Sequence, residues 1–325
     1  MPGWMALLVV VPLVAIPPAA RAATTVPLSR PLRLIVPYVP GGGTDTVARL
    51  IAPALGEAVG QTVVVDNRPG GSSTIATQLV ARAAPDGQTI GISDAAFVTN
   101  PSLFDKLPYD TLRDLVPIAI VSSGSMLLVV HPTLPAKSVK DLIALAKSQP
   151  GKLTYGTAGN GTATHLAGEQ LRWVAQIDIQ HIPYKGAGQS ITELLGGHIS
   201  MAFTSPSTAK AHVASGRLRA LAVTSAKRNA AIPDVLTFIE AGLAKVDTQT
   251  LTPLFAPAGI SPQFVAGINA AVMRATGAGE LRERFQSLGY DNETNTPAEA
   301  ATRIRTEIEK WRNIIKSSGA RAHGA

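Results

Sequence analysis

Along most of the chain, two spacings of apolar residues take turns, one typical of strands and one typical of helices. Short apolar runs typical of buried strands recur, and stretches with an apolar residue every three or four positions follow many of them. The strand-like runs are Leu32–Val36, Thr62–Asp66, Thr89–Ser93, Met126–Val130, Leu153–Thr157, Ile177–Tyr184, Ile199–Phe203, Leu218–Thr224 and Leu251–Pro257. Strands that alternate with helices predict an α/β protein with largely parallel sheets.

Three helices have clear signals in the pattern. The first follows Leu32–Val36 and contains Pro53, which should kink it. Another begins after Ser138, a residue type that caps helices well. The last begins at Thr296, where Glu299 three positions later completes a capping box, and it continues as a long amphipathic helix.

The first residues have the order of parts found in an export signal. An apolar run over 4–16 is too short to span a membrane, and the small residues that follow end in the A-x-A site Ala20-Arg21-Ala22. No Lys or Arg precedes the run, so the alternative is a buried N-terminal strand or helix. We interpret residues 1–22 as a signal peptide and predict a periplasmic protein.

Composition limits the classes of function. The 325 residues suffice for two domains of ordinary size, and with 16% charged residues a packed globular protein is expected. Cysteine is absent, which excludes disulfides, cysteine nucleophiles and thiolate metal sites. The formal charge of +7 is spread over scattered residues with no basic run, so no nucleic-acid partner is predicted.

Three consecutive glycines, Gly41–Gly43, separate the first strand from the first helix. A helix N-terminus presents unpaired N–H groups and the positive end of the helix dipole, which suits an anion, and glycine lets a ligand approach the backbone. The loop is neither a Walker loop, since no Lys follows, nor G-x-G-x-x-G, since Thr46 takes the sixth place. The alternative is a tight turn in which Thr44 or Asp45 caps the helix.

A second loop has the same design. The stretch Gly156–Thr162, "GTAGNGT", also lies between a predicted strand and a predicted helix and gathers small residues and hydroxyls at a helix N-terminus. Two such loops facing each other would bind an anionic group between two helix dipoles without a charged side chain.

Signatures of catalysis are missing from the chain. It contains neither G-x-S-x-G nor H-E-x-x-H, and His165 with Glu169 forms an i, i+4 pair without a third metal ligand. Asp66 and Asp94 end predicted strands, where turn capping explains them. The sequence therefore predicts no enzyme, no metal site and no cofactor.

Several longer stretches resemble the Bug (Bordetella uptake gene) family, the substrate-binding proteins of tripartite tricarboxylate transporters. They run in the family's order from Pro31 to the last helix, over nearly the whole chain after the signal. The matching stretches are "PLRLIVPYVPGGGTDTVARL", "VVVDNRPGG", "AAPDGQTI", "NPSLFDKLPYDTLRDLVPIA", "LPAKSVKDLIALAKSQPGKLTYGTAGNGTATHLAGE", "IPYKGAGQSITELLGG", "GRLRALAVTSAKR" and "LFAPAGI".

The resemblance implies a two-lobed periplasmic binding protein fold of type II, the Venus-flytrap arrangement, which closes around a ligand. The chain would cross between the lobes near Leu127–His131 and Thr250–Leu254. Residues 31–129 with 252–325 would form lobe 1, and residues 130–251 would form lobe 2.

The resemblance also implies a ligand site. In this family the two loops bind a carboxylate of the ligand through N–H groups, hydroxyls and bound waters. The implied ligand-binding residues are Tyr38, Gly42, Gly43, Thr44, Asp45, Ser93, Asp94, Asn160, Gly161, Thr162, His165, Tyr184, Lys185, Gly186, Thr204 and Ser205. Tyr38-Val39-Pro40 departs from the family's usual aromatic or Phe-Pro before the glycines.

Two further departures bear on specificity. Thr204-Ser205 stands where the family usually has Asp-Asn, and Asp94 where small uncharged residues are common. A carboxylate at Asp94 would repel a second ligand carboxylate or receive an amine or hydroxyl. Each departure also has a simpler interpretation, as a harmless change at the pocket rim.

The function implied is that of a periplasmic solute-binding protein, a monomer that captures a small organic carboxylate and delivers it to the membrane permease subunits. One alternative is a ligand-sensing protein whose closed form docks on a membrane sensor without a cognate permease. Another is an enzyme acting on a small acid, against which stands the missing nucleophile–base or metal constellation.

Overall fold

The computed structural model of the protein describes residues 26–318 except 42, 185 and 278. The predicted signal peptide, residues 1–22, lies outside the described residues. Within the part of the chain that is described, no helix has the length and apolar character needed to span a membrane.

The described residues form eleven strands and ten α-helices. The strands are β1 (Leu32–Val36), β2 (Val63–Asn67), β3 (Thr89–Ile92), β4 (Leu115–Ser125), β5 (Leu127–Val130), β6 (Thr154–Thr157), β7 (Gln180–Pro183), β8 (Met201–Thr204), β9 (Arg219–Val223), β10 (Gln249–Pro257) and β11 (Asp291–Asn292). The helices are α1 (Gly43–Val59), α2 (Thr74–Ala81), α3 (Ala96–Leu103), α4 (Val139–Ser148), α5 (Ala163–Ala175), α6 (Ala187–Leu195), α7 (Pro206–Ala214), α8 (Pro262–Gly277), α9 (Gly279–Ser287) and α10 (Pro297–Ser318).

The first lobe is built on a six-stranded sheet in the order β11-β4-β10-β3-β1-β2. β1 pairs in parallel with both β2 and β3, whereas β10 returns from the second lobe and pairs antiparallel to β3 and β4. β1 is apolar because it lies in the middle of this half of the sheet, and Leu32, Leu34 and Val36 are buried against α1. The parallel arrangement places the C-terminal ends of β1 and β3 at one edge, where the glycine loop begins.

The second lobe is built on a five-stranded sheet in the order β7-β6-β8-β5-β9. β6 pairs in parallel with β7 and β8, and β5 pairs antiparallel to β8 and β9. Its core includes Tyr155, Leu171 and Phe203, all buried between the sheet and the helices. The C-terminal end of β6 leads into the second loop, again at one edge of a sheet.

The two crossings between the lobes lie side by side. Ser125 at the end of β4 is paired with Gln249 at the start of β10. Thr224 joins both crossings, because its hydroxyl accepts a hydrogen bond from the Met126 N–H at 2.8 Å and donates one to the Thr248 carbonyl at 2.5 Å.

The crossings lie a few residues earlier than the sequence predicted. Residues 127–129 were assigned to lobe 1, yet they pair with β8 and β9 in the second sheet. Residues 249–251 were assigned to lobe 2, yet they pair with β4 in the first sheet. Both crossings pass through short polar stretches, "SSGS" at 122–125 and "DTQT" at 247–250, so the apolar runs do not mark where a strand changes sheets.

The two capping signals are confirmed, and the kink expected at Pro53 stays a prediction. The Ser138 hydroxyl accepts a hydrogen bond from the Asp141 N–H at the start of α4. At the start of α10 the Glu299 carboxylate accepts from the Thr296 N–H at 2.7 Å, and the Thr296 hydroxyl accepts from the Glu299 N–H at 3.2 Å. α1 continues through Pro53 to Val59.

Candidate functional site

The glycine loop of the first lobe is shaped by a buried carboxylate. Gly41 has a φ of +86°, a backbone conformation that favours glycine, and α1 begins two residues later. The Asp45 carboxylate, which is 1% exposed, accepts hydrogen bonds from the Gly41 N–H, Arg49 Nε and Asn67 Nδ2, each at 2.9 Å. The glycine loop is therefore stabilised by Asp45, a side chain of the helix that follows it.

The charge of Asp45 is maintained over the whole physiological pH range. Burial alone would raise its pKa, but the hydrogen bonds from Arg49, the Gly41 N–H and Asn67 bring the pKa to about 2. Because Arg49 lies one helical turn later on α1, the ion pair is local and forms with the helix. A helix N-terminus in general presents N–H groups that lack an acceptor within the helix, a geometry that suits an anion.

Two further polar residues flank the glycine loop. The Tyr38 hydroxyl donates a hydrogen bond to Asp94 Oδ2 at 2.8 Å, and Asp94 Oδ1 accepts from the Ala96 N–H at 3.0 Å. Burial raises the pKa of Asp94, although these two hydrogen bonds oppose the shift. Burial also raises the pKa of Tyr290, and the charge of Asp94 adds to that shift. The Asp94 carboxyl group is thus hydrogen-bonded to Tyr38 and close enough to Tyr290 to affect its pKa.

The loop of the second lobe is stabilised by neutral groups instead. Thr162 caps α5, and its hydroxyl donates to the Gly159 carbonyl at 2.7 Å. His165, one turn into α5, accepts the Gly161 N–H at Nδ1 at 3.1 Å. Thr164 accepts the Ala158 N–H at 2.9 Å. Most of the donors of this loop are therefore used within the loop.

Beneath the second loop His165 stacks on His181 of β7, with ring centroids 4.1 Å apart. His181 Nε2 lies 2.7 Å from the Thr157 hydroxyl at the end of β6. Burial lowers the pKa of His165, and burial together with the His165 ring lowers the pKa of His181 to about 3. Both rings are neutral at neutral pH, which leaves His165 Nδ1 free to accept the Gly161 N–H.

A buried ion pair lies behind this histidine pair. Glu169 accepts hydrogen bonds from the Tyr155 hydroxyl at 2.5 Å and from Arg172 Nη1 at 2.8 Å. Its Oε1 lies 3.9 Å from His165 Nε2, beyond hydrogen-bond distance. Glu169 is thus paired with Tyr155 and Arg172 rather than with the histidine.

A cavity of about 250 Å³ lies where the two lobes meet. Gly41, Gly43 and Tyr290 line it from the first lobe, Ser205 and Thr208 line it from the start of α7 in the second, and the first crossing supplies its floor. Among the described residues that line it, none carries a charge. Its polar groups are hydroxyls and backbone groups, which suits a ligand bound by hydrogen bonds.

The family model of the tripartite tricarboxylate transporter family receptor matches residues 47–320 of this chain. The protein belongs to this receptor family. The chain is 35% identical to protein BugT of Bordetella pertussis over 307 residues, which cover 93% of each chain. The family predicted from the sequence motifs is therefore confirmed.

Solved structures show the same fold. The chain matches "R. palustris Rpa4515 with adipate" at a TM-score of 0.78 and 32% identity, covering 90% of this chain and 98% of that one. It matches the periplasmic binding protein BugD at a TM-score of 0.76 and 30% identity, covering 90% of this chain and 99% of that one. It matches MatC from Rhodopseudomonas palustris with bound malate at a TM-score of 0.75 and 30% identity, covering 88% of this chain and 99% of that one. The receptor is a two-lobed α/β solute-binding protein, as predicted.

The structure brings together only part of the predicted ligand set. Gly43 and Ser205 line the shared cavity, and Thr44 is buried in the first turn of α1. Gly161 lies against Leu103 of α3, so the second loop also contacts the first lobe. Ser93 is fully buried, with its hydroxyl 2.9 Å from that of Ser73.

The remaining predicted residues take varied positions. Asn160 is exposed at the tip of the second loop, whereas Tyr184 and Gly186 are half-buried before α6. Thr204 is fully buried, and its hydroxyl has no hydrogen-bond partner among the described residues. Gly42 and Lys185 lie outside the described residues. The ligand contacts of the whole set stay a prediction.

Two residues of this site were missed in the sequence. His181 had no signal beyond a histidine in an apolar strand run, and it meets His165 only because β7 is the neighbour of β6. Tyr290 follows α9 and lies against Gly43, far away along the chain. A lone aromatic residue in the polar turn "GYDN" is its only sequence signal.

Proposed function

We propose that this receptor captures a small organic carboxylate between its two lobes. The observation that carries the proposal is the glycine loop, fixed by Asp45 at the start of α1 and open to a cavity that both lobes line. A carboxylate at that position would accept hydrogen bonds from the N–H groups of the first turn and lie at the positive end of a 17-residue helix.

The ligands named for two similar structures support the same class. Adipate and malate are both carboxylates, and each is bound by a protein with this fold at 30% identity or more. The described residues that line the cavity carry no charge, which fits a site in which backbone groups and hydroxyls bind the acid by hydrogen bonds. The predicted contacts from Tyr38 through Ser205 belong to this proposal as residues that surround the bound acid.

Ligand capture would couple to movement of the lobes about the two crossings. Thr224 joins these crossings by hydrogen bonds on either side, and within the described part of the chain two segments connect the two sheets. Such an arrangement is typical of hinge closure around a ligand. We propose residues 31–126 with 249–318 as the first lobe and residues 127–248 as the second.

The rest of the proposal concerns location and partners. The protein would be exported by the signal peptide at residues 1–22 and act in the periplasm as a monomer. Its closed form would be recognised by the membrane subunits of a tripartite permease, as the family description implies. It would bind the acid without chemical change.

A thermal-shift screen of refolded, ligand-free protein tests the proposal. The panel contains malate, adipate and other carboxylates, each with its amide as the matched control. A ligand at about 100 times its Kd adds about 2.7 kcal/mol to the free energy of unfolding, which raises the melting temperature measurably. Stabilisation by an acid that its amide does not reproduce is expected, and stabilisation by neutral or cationic compounds alone would contradict the proposal.

A further inference from the structure

No role was predicted for Tyr290 from the sequence. It lies in the turn between α9 and β11, and its ring packs edge-on against Phe285 at a centroid distance of 6.3 Å. Its hydroxyl lies so close to Gly43 that a Cβ on this glycine would overlap it. A side chain at position 43 would therefore displace the tyrosine.

Tyr290 is also part of the cavity between the lobes. Among the described residues that line the cavity, Tyr290 alone is aromatic. The other hydroxyl groups there belong to the shorter Ser and Thr side chains. Its ring also lies beside Gly124 at the crossing, where the Thr250 hydroxyl donates to the Gly124 carbonyl. The ring thus fills the space between the glycine loop and the crossing and sets how far the cavity extends into the first lobe.

The hydroxyl of Tyr290 makes no hydrogen bond that the described residues account for, although burial and the nearby Asp94 charge keep it protonated. A protonated phenol is a hydrogen-bond donor, and a carboxylate is its strongest acceptor among small ligands. The Tyr290 ring fills the side of the cavity that faces the first lobe. A compact acid fits beside this ring better than a long-chain acid.

We propose that Tyr290 is a specificity-determining residue of the ligand site. Its hydroxyl donates a hydrogen bond to the carboxylate that lies at the start of α1, and its ring limits the ligand to compact carboxylic acids. The inference rests on the proposed function, because it assigns a residue and a size class to the same site.

Two variants separate the roles of the hydroxyl and the ring. Tyr290→Phe removes only the hydroxyl and keeps the packing against Phe285. A hydrogen bond to a charged group contributes enough that its removal should weaken binding of the shorter acid, malate, about 10- to 100-fold. The melting temperature of the ligand-free variant should stay unchanged, since none of the described residues is a hydrogen-bond partner of the hydroxyl. Tyr290→Ala enlarges the cavity and should shift preference from malate toward the longer adipate.

Isothermal titration of the full mature chain with malate and adipate measures both effects. Tyr109→Phe is the matched control: this tyrosine of the first lobe is buried but lines a groove beside α3 and α10, so loss of its hydroxyl should leave both affinities unchanged. Unchanged malate affinity in Tyr290→Phe, with an unchanged malate-to-adipate ratio in Tyr290→Ala, would overturn the inference while the proposed function stands. A wild-type protein that binds no carboxylate would contradict the proposed function and this inference with it.

Discussion

The two loops at the ends of β1 and β6 share a design but are stabilised by opposite chemistry. In the first lobe a charged carboxylate, Asp45, accepts hydrogen bonds from the loop and from Arg49. In the second lobe a neutral imidazole, His165, accepts the Gly161 N–H. The stability of the two loops can therefore respond differently to pH although their design is shared. A carboxylate with a pKa of about 2 stays charged in the pH range where a histidine begins to titrate.

Removing the carboxylate should have the largest effect. Asp45→Ala removes the acceptor of the Gly41 N–H, one of the two acceptors of the Asn67 amide, and the ion pair with Arg49. A hydrogen bond to a charged group contributes about 1.5–3 kcal/mol. We expect the free energy of unfolding, measured by urea titration, to fall by about 2–4 kcal/mol and carboxylate binding to be lost.

The control for this variant is a carboxylate outside the loop. Asp66 at the end of β2 pairs with Arg33 and Arg68, so Asp66→Ala should lower stability but leave the affinity unchanged. Full affinity in Asp45→Ala would show that the loop does not need its buried acceptor.

Removing the neutral acceptor should have a smaller effect. His165→Phe keeps a ring stacked on His181 but leaves the Gly161 N–H unpaired, which should lower the free energy of unfolding by about 1–2 kcal/mol. The affinity for the acid should fall about tenfold, and His165→Gln should recover part of it by supplying an amide oxygen. Equal affinity in the wild-type protein, His165→Phe and His165→Gln would exclude a role for this hydrogen bond in ligand binding.

The pH dependence of stability should come from the second loop. Unfolded histidines titrate near pH 6.5, whereas burial holds the folded pKa of His165 below its usual value and that of His181 at about 3. Below about pH 6.5 the unfolded chain thus binds more protons than the folded one, and stability falls as pH falls. The groups that face the pair are Thr157, Tyr155, Glu169 and Arg172.

Urea midpoints between about pH 7 and about pH 5 measure this dependence. The double variant His165→Phe/His181→Phe should flatten the slope, while the surface variant His131→Gln serves as the control. A slope that stays the same without the pair would assign the acid sensitivity to other groups.

The smallest effect is expected at Thr204, at the end of β8. Its hydroxyl is buried without a partner among the described residues, so Thr204→Val should leave the ligand-free protein equally stable or up to about 1 kcal/mol more stable. If Thr204 contacts the ligand as predicted, the same variant should bind the acid less tightly. A loss of stability with unchanged affinity would show that the hydroxyl is only structural.

The parts of this fold that the sequence predicted well are local. β1 has the predicted bounds, because an apolar run flanked by Pro31 and Pro37 leaves little freedom. The Thr296–Glu299 capping box was visible because both partners lie within one turn. β4 was not predicted, since its run contains Pro117 and ends in the small polar residues "SSGS", which read as a loop.

The parts that could not be predicted depend on contacts between distant segments. The stacking of His165 on His181 follows from the pairing of β6 with β7, and the position of Tyr290 against Gly43 follows from the packing of the C-terminal elements on the first lobe. The role of Asp45 was also only half visible: a helix cap was one interpretation, but its bond to Asn67 of β2 needed the folded sheet.

Hydrogen exchange of the mature protein, with and without its best-binding carboxylate, tests the central claim most directly. Amides in both loops, residues 41–46 and 159–165, should become protected together on ligand binding, since the acid contacts both lobes as they close. Protection of one loop alone, or of neither loop while the ligand is bound, would contradict capture between the lobes.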